Sequence, residues 1–229
     1  MPLKSFKIAI PLLNEAESLV ASLPSLSQEL KKQIIFIDNG SIDETHELLE
    51  KHDCFYLAEK QKGYGSACYK VQEYALQNEI NYLLYCDIED LSHLTCIIHK
   101  FTDSNFENYD FVYTRRIKYR GAFHAYLGTQ LIVHLSKWMF DRNLPSDLGP
   151  VRMVKVKSLA SLNMEDRYFG WTLEMQLRSF KHKMSFKEIE IDHSIRIYGQ
   201  SKISGSARGR IKAAYYLIKV LCKNSSFFS

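Results

Sequence analysis

Residues 82–93 read YLLYCDIEDLSH, an apolar run that ends abruptly in three carboxylates, Asp87, Glu89 and Asp90. Preceded by the polar stretch Gln77 to Asn81, the run reads as a strand buried on both faces, as strands of parallel sheets are. In an open parallel sheet the carboxyl ends of the strands form the ligand edge. Closely spaced carboxylates there can hold a hard cation against a diphosphate. A solvated acidic turn would look the same in isolation, so the neighbouring strands decide.

Outward from this stretch, Phe6 to Leu13, Gln33 to Ile37, Cys54 to Ala58 and Phe111 to Thr114 read as further apolar strands. Helical segments separate them. Leu19, Leu23, Leu26 and Leu30 share one helical face, which Pro24 breaks or bends. Ser41 with Glu44 has the form of a capping box and predicts a helix over Ile42 to Lys51. Another helix is predicted from Ser66 to about Gln77, and one around Leu94 to Phe101. Alternation of this kind implies βαβ units, hence an α/β fold with a mostly parallel sheet covered by helices on both faces. Four polar clusters then fall on one sheet edge: Asn14-Glu15, Asp38-Asn39, Lys62-Gly63 and Asp87-Ile88-Glu89. The first strand lacks GxGxxG and the chain lacks GxxxxGK[ST], which excludes the usual dinucleotide and P-loop sites.

Beyond Thr114 the texture changes. Arg115, Arg116, Lys118 and Arg120 read as a basic loop, followed by a largely apolar helix over Ala122 to Phe140. Val151 to Val156 resumes as a strand, Thr172 to His182 is a helix with Glu174 near its start, and Met184 to Ile191 alternates as a strand. A glycine- and serine-rich loop, His193 to Gly205, carries Arg196 and Lys202. The chain divides into one domain, 1–205, and a tail, 206–229, whose basic amphipathic helix suits either the interface of an anionic membrane or its own domain's surface.

The remaining composition excludes more than it names. A net charge of +4 over 229 residues is mild, and no aromatic platform interleaves the basic residues, so nucleic acid is not an expected partner. Five cysteines without a CxxC pair suit a reduced, cytoplasmic setting. The strand-like N-terminus leaves no room for a signal peptide. No apolar stretch reaches the roughly 20 residues that span a bilayer, so a membrane role means lying on the surface. The histidines lack ligand spacing for zinc.

Taken in order, IAIPLLNEAESL, IIFIDNGSIDET, KGYGSA, YLLYCDIEDLSH, DLGPVRMV, FGWTLEMQ and RIYGQSKISG resemble the family 2 glycosyltransferases of GT-A fold. The likeness runs from about Phe6 to Gly205, and it is nearest to the dolichol-phosphate-mannose synthase and polyprenyl-phosphate glycosyltransferase branch. It implies that Pro11, Asn14 and Glu15 contact the nucleoside and that Asp38 reads the base. Asn39 stands where the family often has a second aspartate. Asp87 matches the first aspartate of the family's DxD motif, with Glu89 in place of the second and Asp90 as an alternative ligand of Mg2+ or Mn2+. By the same likeness Asp147 resembles a catalytic base. Arg196, Ser201 and Lys202 resemble a segment that closes over the diphosphate. Arg115 and Arg116, with Arg152, stand where basic residues meet the acceptor phosphate.

The chemistry fits these residue types. A leaving diphosphate needs neutralisation, which a carboxylate-held divalent ion and the cations Arg196 and Lys202 would supply. A lipid phosphate is already anionic and needs positioning more than a base; Asp147 could then orient acceptor or metal, with Glu174 as the other candidate base. The expected activity is inverting transfer of a sugar from a nucleotide-diphospho-sugar to a polyprenyl phosphate on the cytoplasmic membrane face, with peripheral membrane contact. The alternatives are a soluble sugar or protein acceptor, and a silent nucleotide-sugar-binding module.

Overall fold

The computed structural model describes residues 6–117, 123–192 and 207–225. Among them seven strands form one sheet: β1 (Phe6–Leu12), β2 (Ile34–Asp38), β3 (Tyr56–Ala58), β4 (Tyr82–Tyr85), β5 (Phe111–Ile117), β6 (Arg152–Lys155) and β7 (Phe186–Asp192). Their spatial order is β3-β2-β1-β4-β6-β5-β7. The strands β3, β2, β1 and β4 run parallel, β6 lies antiparallel to both β4 and β5, and β7 runs parallel to β5. The helices are α1 (Ala16–Ser22), α2 (Gln28–Lys31), α3 (Thr45–Lys51), α4 (Tyr64–Gln77), α5 (Leu94–Asp103), α6 (Phe123–Met139), α7 (Val156–Ser161), α8 (Trp171–Lys181) and α9 (Ala207–Ser225).

Successive side chains of a strand face opposite sides of the sheet, so each continuous apolar run feeds two cores. Ile8, Ile10 and Leu12 of β1 pack with Leu19 of α1 and Ile97 and Phe101 of α5. Ala9 and the β4 residues Leu83 and Tyr85 pack with Cys68 and Val71 of α4 and Trp171 and Met175 of α8. A third cluster joins Ile132 of α6, Leu173 and Leu177 of α8, and Val220 and Leu221 of α9. The basic C-terminal helix therefore completes the domain's core with one of its faces.

Pro11 opens the ligand edge. The Ile8 N–H bonds the Gln33 carbonyl on the β2 side, whereas the Ala9 carbonyl accepts from Cys86 on the β4 side. By the same alternation Pro11 faces β4, where it has no N–H to give. The β1–β4 pairing stops at Ala9 and Tyr85, while β1–β2 pairing continues to Leu12 and Asp38. The crevice at this switch in strand order is where an open α/β sheet takes its ligand.

Two local expectations change and a third is met. Helix α3 begins at Thr45, not Ile42, because Asp43 and not Ser41 turns the chain: Asp43 Oδ1 accepts the Thr45 N–H at 3.1 Å and the Thr45 hydroxyl at 2.5 Å. Strand β5 runs on to Ile117, since β7 pairs with it as far as Ile117 and Asp192, so Arg115 and Arg116 lie on a strand and not in a loop. Pro24 divides the first helical stretch, with a 3-10 turn over Leu23–Ser25 between α1 and α2.

Candidate active site

Asn14 leaves β1 in the left-handed region, φ 52°, which asparagine tolerates better than most residues. Its backbone N–H donates to Ser41 Oγ at 2.8 Å, and its Oδ1 accepts the Ile42 N–H at 2.8 Å. Glu15, also buried, gives its N–H to Thr45 Oγ1 at 2.8 Å and accepts from Ser18 Oγ at 3.0 Å. These bonds stitch the β1 loop to the β2 loop. Asp38, at the end of β2, is buried and accepts the Ser41 N–H on Oδ1 at 2.9 Å. Ser41, Asp43 and Thr45 escaped the sequence reading as supports of Asn14 and Glu15; the pair Asp43 and Thr45 ahead of an apolar helix was the signal available.

Asn39 is spent within the protein. Its Nδ2 donates to the carbonyls of Glu59 at 3.2 Å and Gln61 at 2.8 Å, and its Oδ1 accepts the Gly63 N–H at 2.7 Å. An aspartate could not donate to two carbonyls, so the departure from the family's usual residue has a structural reason. The loop it grips ends at Gly63, φ +137°, where a Cβ would collide with the Arg167 carbonyl oxygen. Lys62 beside it is exposed. The first N–H groups of α4 are also taken, Gly65 by Tyr168 O at 3.2 Å and Ser66 by Arg167 O at 3.0 Å.

At the end of β4 the three carboxylates separate by role. Asp87 and Asp90 close a capping box on a 3-10 turn, Ile88–His93, with Asp90 Oδ2 accepting the Asp87 N–H at 2.9 Å. Asp90 and Ile88 are buried, Ile88 within the first core. Asp87 and Glu89 are half-buried. Their donor set fits a hard cation that shares its coordination with a substrate's phosphates. Among the described residues no three His, Cys, Asp or Glu side chains could hold a metal by themselves, so the ion would need the diphosphate oxygens too.

The β5–β6 side differs from expectation. Asp147 is buried, and its carboxylate is filled by Arg116: Nε to Oδ2 at 2.8 Å, Nη2 to Oδ1 at 2.7 Å and the Arg116 N–H to Oδ2 at 3.0 Å, with the Leu148 N–H at 2.7 Å on Oδ1. Burial alone would raise the Asp147 pKa, but Arg116 and these N–H groups outweigh it and hold the carboxyl below its ordinary value. Asp147 is thus an anchor for Arg116, not an available proton acceptor. Glu174 is likewise engaged. It accepts the Glu165 N–H at 3.0 and 3.1 Å and the Asp166 N–H at 2.7 Å, and meets Arg178 at 2.9 Å. Burial pushes its pKa up and the N–H groups and Arg178 pull it back only in part. It holds the loop ahead of α8.

Arg152 cannot meet an acceptor phosphate here. It is fully buried, its Nη1 donating to Thr172 O at 3.0 Å and its Nη2 to Gly149 O. Arg115 is half-exposed and paired with Glu190 across to β7. Arg196, Ser201 and Lys202 lie outside the described residues.

Comparison with known proteins places this geometry. Residues 7–161 match the model of Glycosyl transferase family 2. Uncharacterised glycosyltransferases of Mycobacterium tuberculosis and Mycobacterium bovis are 29% identical over 220 residues, covering 93% of this chain and 96% of theirs. Glucosyl-3-phosphoglycerate synthase from M. tuberculosis, solved with phosphoglyceric acid, superposes with a TM-score of 0.74 at 13% identity, over 98% of this chain and 81% of that one. The same enzyme solved with Mn2+, UDP-glucose and phosphoglyceric acid gives 0.73. With a family model covering most of its length and a sheet whose ligand edge carries that family's motifs, the chain belongs to glycosyl transferase family 2.

Proposed function

We propose that this glycosyltransferase moves a hexosyl group from a nucleoside diphosphate sugar, bound with Mg2+ or Mn2+ at Asp87 and Glu89, to the phosphate of a polyprenyl phosphate at a membrane surface. Support for the donor half is the pair of half-buried carboxylates beside the crevice that Pro11 opens. The bound cation would neutralise charge developing on the leaving diphosphate. An acceptor phosphate is anionic at neutral pH, so the reaction needs alignment and charge compensation instead of proton removal. Arg116, oriented by Asp147, and the half-exposed Arg115 suit that task.

The observation that favours a lipid acceptor is an apolar stripe on the outer faces of two adjacent helices. Leu127, Leu131 and Trp138 of α6 and Ile211, Tyr215 and Ile218 of α9 are all exposed, Trp138 at 83%. Each set recurs at helical spacing opposite the buried face of its helix. Apolar stripes bordered by cations such as Lys212 and Lys219 suit an anionic bilayer surface. Among the described residues no helix is long and apolar enough to cross a membrane. A soluble phosphorylated acceptor is the second reading, favoured by the fold's likeness to a synthase solved with phosphoglyceric acid. Purified protein with UDP-glucose and Mn2+, offered undecaprenyl phosphate in anionic vesicles or 3-phosphoglycerate in solution, separates the two. Butanol-extractable glucose supports the lipid reading; aqueous product alone overturns it.

A further inference from the structure

Arg152 carries a buried charge that no carboxylate among the described residues answers. Arg115, Arg116 and Arg178 each form an ion pair. Arg152 is fully buried and forms none: its Nη1 and Nη2 donate to the carbonyls of Thr172 and Gly149, and its Nε has no acceptor among the described residues. Asp147, whose charge reaches it, is already gripped by Arg116. Burial pulls the Arg152 pKa down, yet a guanidinium keeps its proton in a protein. Arginines are almost never fully buried unless paired, because taking the ion out of water is expensive.

The sheet sets this charge just behind the ligand edge. Arg152 pairs with Tyr85 of β4 and with Tyr113 of β5, and its guanidinium lies 5.6 Å from the centroid of the Tyr113 ring. Asp87 follows Tyr85 by two residues, about 7 Å along an extended chain. Because β6 runs antiparallel to β4, Gly149 precedes Arg152 on the side of that edge, and the bond from Nη2 to its carbonyl turns the guanidinium toward the crevice. The other described cations there are neutralised or solvated: Arg115 by Glu190, Arg116 by Asp147, and Lys62 by its exposure to water. A divalent ion held by Asp87 and Glu89 would have its charge cancelled by them. The donor's diphosphate would still lack a balancing charge.

We propose that Arg152 is the buried counter-charge of the donor's diphosphate, favouring nucleoside diphosphates over less charged nucleotides by its field and not by contact. The inference rests on the donor half of the proposed function. Arg152 touches no reacting atom; it is a specificity residue whose surroundings exclude water and leave its field weakly screened. At an effective dielectric constant of about 20, two unit charges about 10 Å apart change an affinity by about tenfold.

Displacement calorimetry on the full chain with Mg2+ would compare uridine, UMP and UDP, or the guanosine series if the protein binds that base instead. Two neutral variants serve: Arg152→Met, which fills the space of the arginine stem, and Arg152→Gln, which keeps an amide donor for the Gly149 carbonyl. Each should weaken UDP about tenfold and uridine by less than about twofold, with UMP between them. A loss equal for uridine and UDP, as a displaced loop would give, overturns the proposal. So does an Arg152→Gln protein with wild-type affinity for UDP. Should neither variant fold, wild type decides: pyrophosphate with Mg2+, which has the charge without the base, should raise its Tm, and no rise overturns the proposal. A wild type that binds neither UDP nor GDP removes the donor reading and this inference together. UDP binding that persists unchanged in both neutral variants overturns this inference alone.

Discussion

Arg116 grips Asp147 with both ends of its guanidinium and with its own backbone N–H, at 2.7, 2.8 and 3.0 Å. A carboxylate held in this way, buried on the β6 side of the site, fixes the direction of an arginine that the acceptor would meet. Breaking such a pair by removing one partner leaves a buried charge and costs about 3–5 kcal/mol. For a domain of this size that is roughly a 6–20 °C loss in Tm. Asp147→Asn and Arg116→Met should each show it. The double variant should lose much less than the sum, giving a coupling of about 1–3 kcal/mol in a double-mutant cycle. If Asp147 were instead a proton acceptor, Asp147→Asn would abolish turnover with Tm unchanged.

The same pair carries a pH signature. The Asp147 pKa is lowered in the folded protein, so its stabilisation is fully present above the unfolded carboxylate's value, near pH 4. It is lost as pH falls through the lower folded value. Urea midpoints should drop more steeply below about pH 4 for wild type than for Asp147→Asn.

Asn39→Asp would restore the family's commoner residue and should still damage the protein. Two carbonyls, of Glu59 and Gln61, would face a carboxylate in place of an amide donor. Unsatisfied buried polar groups cost about 1–3 kcal/mol each. The expected result is a lower Tm and a smaller thermal shift on adding nucleotide, with Asn39→Gln also impaired because the extra methylene displaces the amide from its three partners.

The two faces of α9 should behave differently. Leu221 is buried in the third core cluster, and truncation to alanine should cost about 2–5 kcal/mol. Ile218 is 52% exposed. Ile218→Glu should leave stability within about 0.5 kcal/mol while reducing cosedimentation with anionic vesicles and transfer to lipid.

Most of the parallel half of the sheet was legible because its strands are continuous apolar runs ending in polar clusters, and Tyr82 to Cys86 is the clearest of them. The β5–β6–β7 half was less so. Nothing local in Arg115 and Arg116 says that β7 will pair beside them and prolong β5. Arg152 reads as a cation for the acceptor phosphate, yet the sheet draws it inside, where carbonyls of Gly149 and Thr172 and the face of Tyr113 receive it. Glu174, near the start of its helix, reads as a candidate base; its commitment to the N–H groups of Glu165 and Asp166 depends on a loop whose path is set by the close approach of Gly63 and Gly65. Residue type and order placed these polar clusters on one edge of the sheet. Partner choice among buried charges is a tertiary property that spacing does not encode.

The most direct test of the account is metal-dependent turnover at the end of β4. Nucleotide release from UDP-glucose and GDP-mannose would be followed with acceptor lipid present, comparing Mn2+ with EDTA and wild type with Asp87→Asn and Glu89→Gln. The account expects release from one donor only with the metal, a loss of about a hundredfold or more in Asp87→Asn, consistent with removal of a group that stabilises transition-state charge, and a smaller loss in Glu89→Gln. Undiminished, metal-dependent release by Asp87→Asn would contradict it.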